Sequence, residues 1–201
     1  MSLANYTDLK AAIATWLPRA DLTTSIPDCI LMAEAEFNDR LRKNEQRANL
    51  TITGEYVTAP NDFQEFRSGY IDSAPRRPLH YLSSDTQSSN YDATSNSPSG
   101  PVYFSMSAGQ FRFAPTPPVP VDAVILYYAS IPPLATNATN WLLTKHPQLY
   151  LMTSLYYGSI LTKDAEGAAG YKQVYEDILN SVLGAAKKAR WGGPAMQARA
   201  A

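Results

Sequence analysis

The chain has 201 residues with one cysteine, Cys29, and two histidines, His80 and His146, which excludes intrachain disulfides and Cys/His-rich metal centres. Lys and Arg total 17 against 18 Asp and Glu, so the net charge is −1 and the chain is not a strongly basic nucleic-acid binder. Charged residues make up only 17% and tyrosines number 13, a composition that suits a surface covered by partners as well as a weakly charged monomer.

In chain order, Tyr6, Leu9, Ile13, Trp16 and Leu17 recur at helical spacing and predict a first helix, with Asn5 as its cap and Pro18 at its end. Residues 1–17 also carry Asp8 and Lys10 and lack a continuous apolar stretch, so no signal peptide is expected. Ser25-Ile26-Pro27-Asp28 starts a second helix, with proline in the first turn and Asp28 at the positive end of the dipole. Ile30, Phe37 and Leu41 form its apolar side, and Arg40, Arg42 and Lys43 lie toward its end.

The pattern changes from Asn49 to about Ile131. Leu50, Ile52 and Tyr56-Val57 read as strand fragments, and Phe63, Phe66, Tyr70 and Ile71 as a short helical turn followed by a strand. Ser83–Gly100 is polar, rich in Ser, Asn and Asp, and reads as a loop hard to order alone. Val102-Tyr103-Phe104 and Phe111-Arg112-Phe113, joined through Ala108-Gly109-Gln110, predict a hairpin. Val121–Ser130 predicts an apolar strand, too short at Ala123–Ala129 to cross a bilayer.

Asn140 predicts a cap for a helix at Trp141, and Pro147 a second start. A last helix is expected over Ala165–Ala186. Beyond it, Lys187, Lys188, Arg190 and Arg199 make the terminus basic with no acid, and Gly192-Gly193-Pro194 breaks any helix. This reads either as an arm that orders on a partner or as a frayed tail.

No catalytic constellation is legible. No serine lies in a G-x-S-x-G elbow, and Gly167-x-x-Gly170 lacks the lysine and spacing of a phosphate loop. Glu34 and Glu36, two apart on a helix, do not face each other, and Asp62 with Glu65 reads as surface charge. Cys29 reads as a buried thiol, and His80 and His146 as structural. No enzymatic activity, cofactor or metal is expected. The Arg40, Arg42, Lys43, Arg47 and Arg76, Arg77 clusters suit phosphate contacts, and equally ion pairs with a neighbouring subunit.

Several stretches together resemble one family. They are Tyr6-x-x-Leu9, Trp16-Leu17, Ile26-Pro27-Asp28-x-Ile30, Ala33-Glu34, Phe37 and Leu41-Arg42, then Pro60-x-Asp62-Phe63 with Arg67 and Tyr70-Ile71. Arg77-Pro78-Leu79-x-Tyr81-Leu82, Leu126-Tyr127-Tyr128-Ala129, Ile131-Pro132-x-Leu134, Asn140-Trp141-Leu142-Leu143 and His146-Pro147-x-Leu149-Tyr150 follow in order. This series is similar to the head-to-tail adaptor, or connector, proteins of tailed bacteriophages, over about Tyr6 to Arg190.

The resemblance implies structural work: a ring, usually of twelve copies, beneath the portal of the head, joining it to the tail, nozzle or tail tube and extending the channel for DNA ejection. It implies a place in the virion neck after assembly in the bacterial cytoplasm, with only non-specific proximity to channel DNA and no membrane. The expected fold is α+β, a mainly helical bundle with an inserted β-rich block and an extended C-terminal arm. The expected divisions are 1–48 and 132–190 for the helical body, 49–131 for the insertion, and 191–201 for a flexible basic arm. Lys187, Lys188, Arg190, Trp191 and Arg199 are the candidate portal-binding residues. Arg42, Arg47, Tyr150, Tyr157 and Tyr171 are candidate inter-subunit or packing anchors, about half of the tyrosines of the last two helices being expected in the core. A related neck or tail-tube component, or a small DNA-binding assembly factor, are the alternatives.

Overall fold

A computed structural model describes residues 3–17, 22–42, 44–91, 97 and 100–191. The chain is an α+β protein of two units, one formed by Met1–Lys43 with Ile131–Ala201 and the other by Asn44–Ser130.

The first unit is helical. Helix α1 spans Tyr6–Trp16, and the Asn5 side chain accepts from the Asp8 N–H at 2.9 Å, satisfying one of the donors that a helix start leaves without an internal partner. Helix α2, Ile26–Arg40, takes Pro27 in its first turn and buries Ile26, Ile30, Ala33 and Phe37 along one stripe. After the β unit, short helix α4 (Trp141–Lys145; α3 belongs to the other unit) starts on Asn140, whose Oδ1 accepts from the Leu143 N–H at 2.8 Å. Pro147 opens α5, Pro147–Leu161, where its missing N–H costs nothing. Helix α6 runs from Ala165 to Trp191 and continues five residues past the end expected at Ala186. Lys187, Lys188, Arg190 and Trp191 therefore extend a helix.

The core of this unit joins Leu9 and Ile13 of α1, Ile30 and Phe37 of α2, Leu149, Tyr150 and Leu155 of α5, and Leu179 of α6. Phe37 meets Tyr150 edge to face, with ring centres 5.0 Å apart. One member of the predicted apolar face of α1 departs from it: Trp16 is 47% exposed.

The second unit packs two small sheets on each other. Strand β1 (Glu45–Ile52) begins four residues before the expected boundary; β2 is Tyr56–Thr58, β3 Phe63–Ile71, β4 Arg77–Pro78, β5 His80–Tyr81, β6 Tyr103–Ser107, β7 Gln110–Ala114 and β8 Val121–Ala129. Their orders are β1-β8-β3-β4 and β2-β7-β6-β5. All pairings are antiparallel except β5 with β6. The nearly all-apolar β8 is an interior strand, paired with β1 from Glu45↔Tyr128 to Ile52↔Val121 without a break. Ile52, Ile71, Ala123 and Ile125 of one sheet meet Phe104, Phe111 and Phe113 of the other in a second core.

The β6–β7 hairpin closes through Ala108 and Gly109, with φ of 50° and 74°. Two successive positive φ angles suit the right-handed strand twist, and glycine adopts one without steric cost.

Two expectations are corrected here. Phe63–Ile71 is one continuous strand, with no helical turn. Within the polar Ser83–Gly100 segment, Ser84–Asn90 forms helix α3, capped by the Ser83 hydroxyl. Gln87 of α3 is fully buried, donating to the Arg112 carbonyl at 3.1 Å and accepting from the buried Ser105 hydroxyl. Arg112 in turn donates to Glu55 at 2.6 Å and to the Ser88 hydroxyl at 2.5 Å. A polar helix is thus held to the sheet by side-chain hydrogen bonds, with few apolar groups of its own.

Candidate interaction surfaces

The apolar stripe of α2 carries a carboxylate. Ile30, Glu34 and Phe37 follow helical spacing, so Glu34 is turned inward and is 4% exposed. Its Oε1 accepts from the Leu134 N–H at 2.8 Å and from the Tyr150 hydroxyl at 3.3 Å. Asn140 donates to that hydroxyl at 2.7 Å and to the Pro132 carbonyl at 2.9 Å. One turn after Glu34, the Asn38 side chain accepts from the Ile131 N–H at 2.8 Å. Glu34 and Asn38 together fix residues 131–134, where the chain re-enters the helical unit. Burial pushes the Glu34 carboxyl above the usual carboxylate range, partly opposed by the Leu134 and Tyr150 hydrogen bonds. Burial likewise raises the Tyr150 hydroxyl, opposed by the bond from Asn140.

A second network lies nearer the surface and ties α2 to α5 and α6. Arg40 donates to Glu176 through both terminal nitrogens, at 2.7 and 2.6 Å, and to Glu36 at 2.9 Å. Glu36 also accepts from the Tyr157 hydroxyl at 3.0 Å and the Tyr175 hydroxyl at 3.2 Å. Burial, reinforced by Glu36, pushes Tyr157 up to about 12. The hydrogen bond from Arg40 holds Glu176 below its usual range.

The candidate anchors sit in different settings. Tyr150 is wholly inside the helical core. Tyr157 joins the Arg40 network, and half-buried Tyr171 lines a cleft with Trp16 and Leu17. Arg42 turns back on its own helix, its guanidinium donating to the Asn38 carbonyl and to that of Asp39. Arg47 is exposed on β1. Of the candidate arm, Lys188 is an exposed residue of α6, and the backbone at Lys187, Arg190 and Trp191 is helical. Arg199 and the rest of the expected arm, residues 192–201, lie outside the described residues.

The arginine cluster read from sequence is dispersed. Arg40 faces two carboxylates and Arg42 backbone carbonyls, while Lys43 lies outside the described residues. Arg76 pairs with Asp72 at 3.6 Å and lies over the Tyr70 ring at 4.9 Å. Cys29 is buried, His80 is exposed, and His146 forms the joint between α4 and α5. Among the described residues, no three His, Cys, Asp or Glu side chains converge to hold a metal ion, and no helix is long and apolar enough to cross a membrane.

Sequence reading named Glu34 but missed its burial, and it missed the Glu36–Arg40–Glu176 network and the Trp16 cleft. The inward position of Glu34 was accessible from the Ile30–Phe37 stripe, whereas the other two depend on contacts between distant segments.

A comparison with curated proteins found no match. A family model described as SU10 adaptor protein matches residues 4–198, spanning the segments of both units. This chain accordingly belongs to the SU10 adaptor protein family, a family of phage head-tail adaptors.

Proposed function

We propose that the protein assembles as a homo-oligomeric ring, of twelve copies, beneath the phage portal, joins the portal to the tail, nozzle or tail-tube protein, and extends the channel for DNA ejection. The observation that carries this reading is the family match over residues 4–198. The single core shared by α1, α2, α5 and α6 supports it, because a ring subunit must hold two different contact patches in fixed relation. Its place is the neck of the virion. The work is structural, with no cofactor and no turnover of substrate.

Within this reading the basic C-terminal residues Lys187, Lys188, Arg190, Trp191 and Arg199 contact the portal, and Arg42, Arg47, Tyr157 and Tyr171 act at or beside contacts between copies. Charge supports the first assignment: the terminus is wholly basic while the remainder of the chain is net acidic.

Negative-stain microscopy of the protein, alone and mixed with the portal from the same genome, tests the reading. A ring added beneath the portal is the expected result. Absence of any assembly in both samples refutes it, and a ring bound only to a tail-tube protein favours a different neck component. Removing Gly192–Ala201 is expected to weaken portal capture in a pull-down while leaving thermal unfolding unchanged. Unchanged capture refutes the role of the arm.

A further inference from the structure

A cleft of about 360 Å³ opens on the helical unit between the ends of α1 and α5 and the start of α6. Two of its lining residues are aromatic, Trp16, which is 47% exposed, and half-buried Tyr171. The end of α1 is seated firmly, because Leu17 lies over Gly158, where a Cβ would stand 2.3 Å from its Cδ1. Asp164 stands at the cleft and is held in place, its Oδ1 accepting from the Gly167 N–H at 3.0 Å. A Cβ at Gly167 would stand 2.2 Å from Asp164 Oδ2, so the glycine lets the carboxylate sit close. Among the described residues, Asp164 has no ion-pair partner. Ser159 also lines the cleft, and its buried hydroxyl has no hydrogen-bond partner among the described residues.

Two aromatic side chains and a carboxylate with no ion-pair partner among the described residues, all lining one cleft, suit a cation and repel phosphate. A planar guanidinium suits such a site better than an ammonium, because it stacks on a ring while donating to a carboxylate. Among the arginines whose side chains are described, Arg40, Arg67, Arg76 and Arg112 already face carboxylates and Arg42 faces backbone carbonyls, while Arg77 and Arg47 face neither, and Arg77 is half-buried. Of these two Arg47 is the exposed one, on β1, with no hydrogen bond or ion pair among the described residues. It shares a strand face with Glu45, which is taken by Arg67, and Thr51, which donates to Asp122 at 2.9 Å.

A ring built from one kind of chain needs a donor patch and a different acceptor patch on every copy. We propose that the cleft of one copy receives Arg47 of the next, with the guanidinium against the Trp16 indole and paired with Asp164. This rests on the ring reading above.

The test measures ring assembly by sedimentation and negative stain, alone and with the portal, for the full chain and for Arg47→Ala, Arg47→Lys, Trp16→Leu and Asp164→Asn. Asparagine keeps the helix cap, and thermal melts identify folded variants. Wild type is expected to form rings, and Arg47→Ala and Asp164→Asn each to raise the concentration for half-assembly about tenfold. The double variant is expected to be little worse than either single one. Arg47→Lys should retain part of the effect. Combining Arg47→Cys with Thr162→Cys should give a ladder of cross-linked copies on oxidation.

Wild-type rings with unchanged assembly in the variants, fully additive effects, or no cross-link overturn the proposal while leaving the ring reading intact. Absence of rings for wild type, alone and on the portal, overturns both.

Discussion

The Tyr150 hydroxyl stands 3.3 Å from Glu34 Oε1 inside the helical core, joining α5 to α2 through a carboxylate that is itself buried. Burying such a group is favourable only while its hydrogen bonds are complete, because the desolvation cost is otherwise uncompensated.

The first prediction concerns pH. Glu34 binds its proton more tightly folded than unfolded, so its contribution favours folding most below the ordinary carboxylate range. That contribution is lost as pH rises through the folded value. Glu34→Gln keeps an acceptor for the Leu134 N–H and the Tyr150 hydroxyl but has no charge to bury. The variant is expected to gain stability relative to wild type as pH rises from about 4 to neutrality. Urea unfolding at several pH values measures this, and parallel profiles for the two chains count against it.

Tyr150→Phe removes the hydroxyl that links Asn140 to Glu34 and leaves the edge-to-face contact with Phe37. The Asn140 amide retains the Pro132 carbonyl, so the expected loss is about 1–2 kcal/mol. Tyr150→Ala also leaves a cavity and is expected to cost about 3–5 kcal/mol. Equal losses for the two variants would assign the stability to the hydroxyl alone.

Gln87→Ala removes the acceptor of the Ser105 hydroxyl and the donor to the Arg112 carbonyl. About 1–3 kcal/mol of local stability is expected to go with them. Hydrogen exchange should accelerate at Ser84–Asn90 while α2 and α5 keep their protection. Unchanged exchange in α3 would show that other contacts hold it.

Arg40→Ala breaks the pairs to Glu36 and Glu176, but the arginine side chain is 33% exposed and screened by water. The expected cost is about 1 kcal/mol at low salt, shrinking as salt is added. Thermal unfolding at two salt concentrations distinguishes this pair from the salt-insensitive Glu34 site.

Caps and breakers made much of the helical unit readable: Asn5, Pro27, Asn140 and Pro147 each mark a helix start by local chemistry. Phe63–Ile71 was misread for a local reason as well. Register shifts between Phe63 and Glu65 and between Phe66 and Ser68 break the two-residue alternation, so the apolar positions fall at spacings of three and four. Helix α3 was hidden because Gln87, Ser105 and Arg112 hold it across intervals no local pattern reveals. The anchor residues show the same division. Tyrosines of α5 and α6 stood out by type, but which of them meet Glu34 or Glu36 depends on how α2 packs against both helices.

The β unit begins and ends at one place. Asn44 accepts the Ala129 N–H at 2.8 Å through its carbonyl and reaches the Ser130 carbonyl through its side chain, while Asn38 and Glu34 anchor residues 131–134 independently. Asn44–Ser130 is therefore a cassette closed by its own first and last residues. An insertion closed in this way can be lengthened or shortened between Asn44 and Ser130 without moving the bonds by which Glu34 and Asn38 hold the re-entering chain.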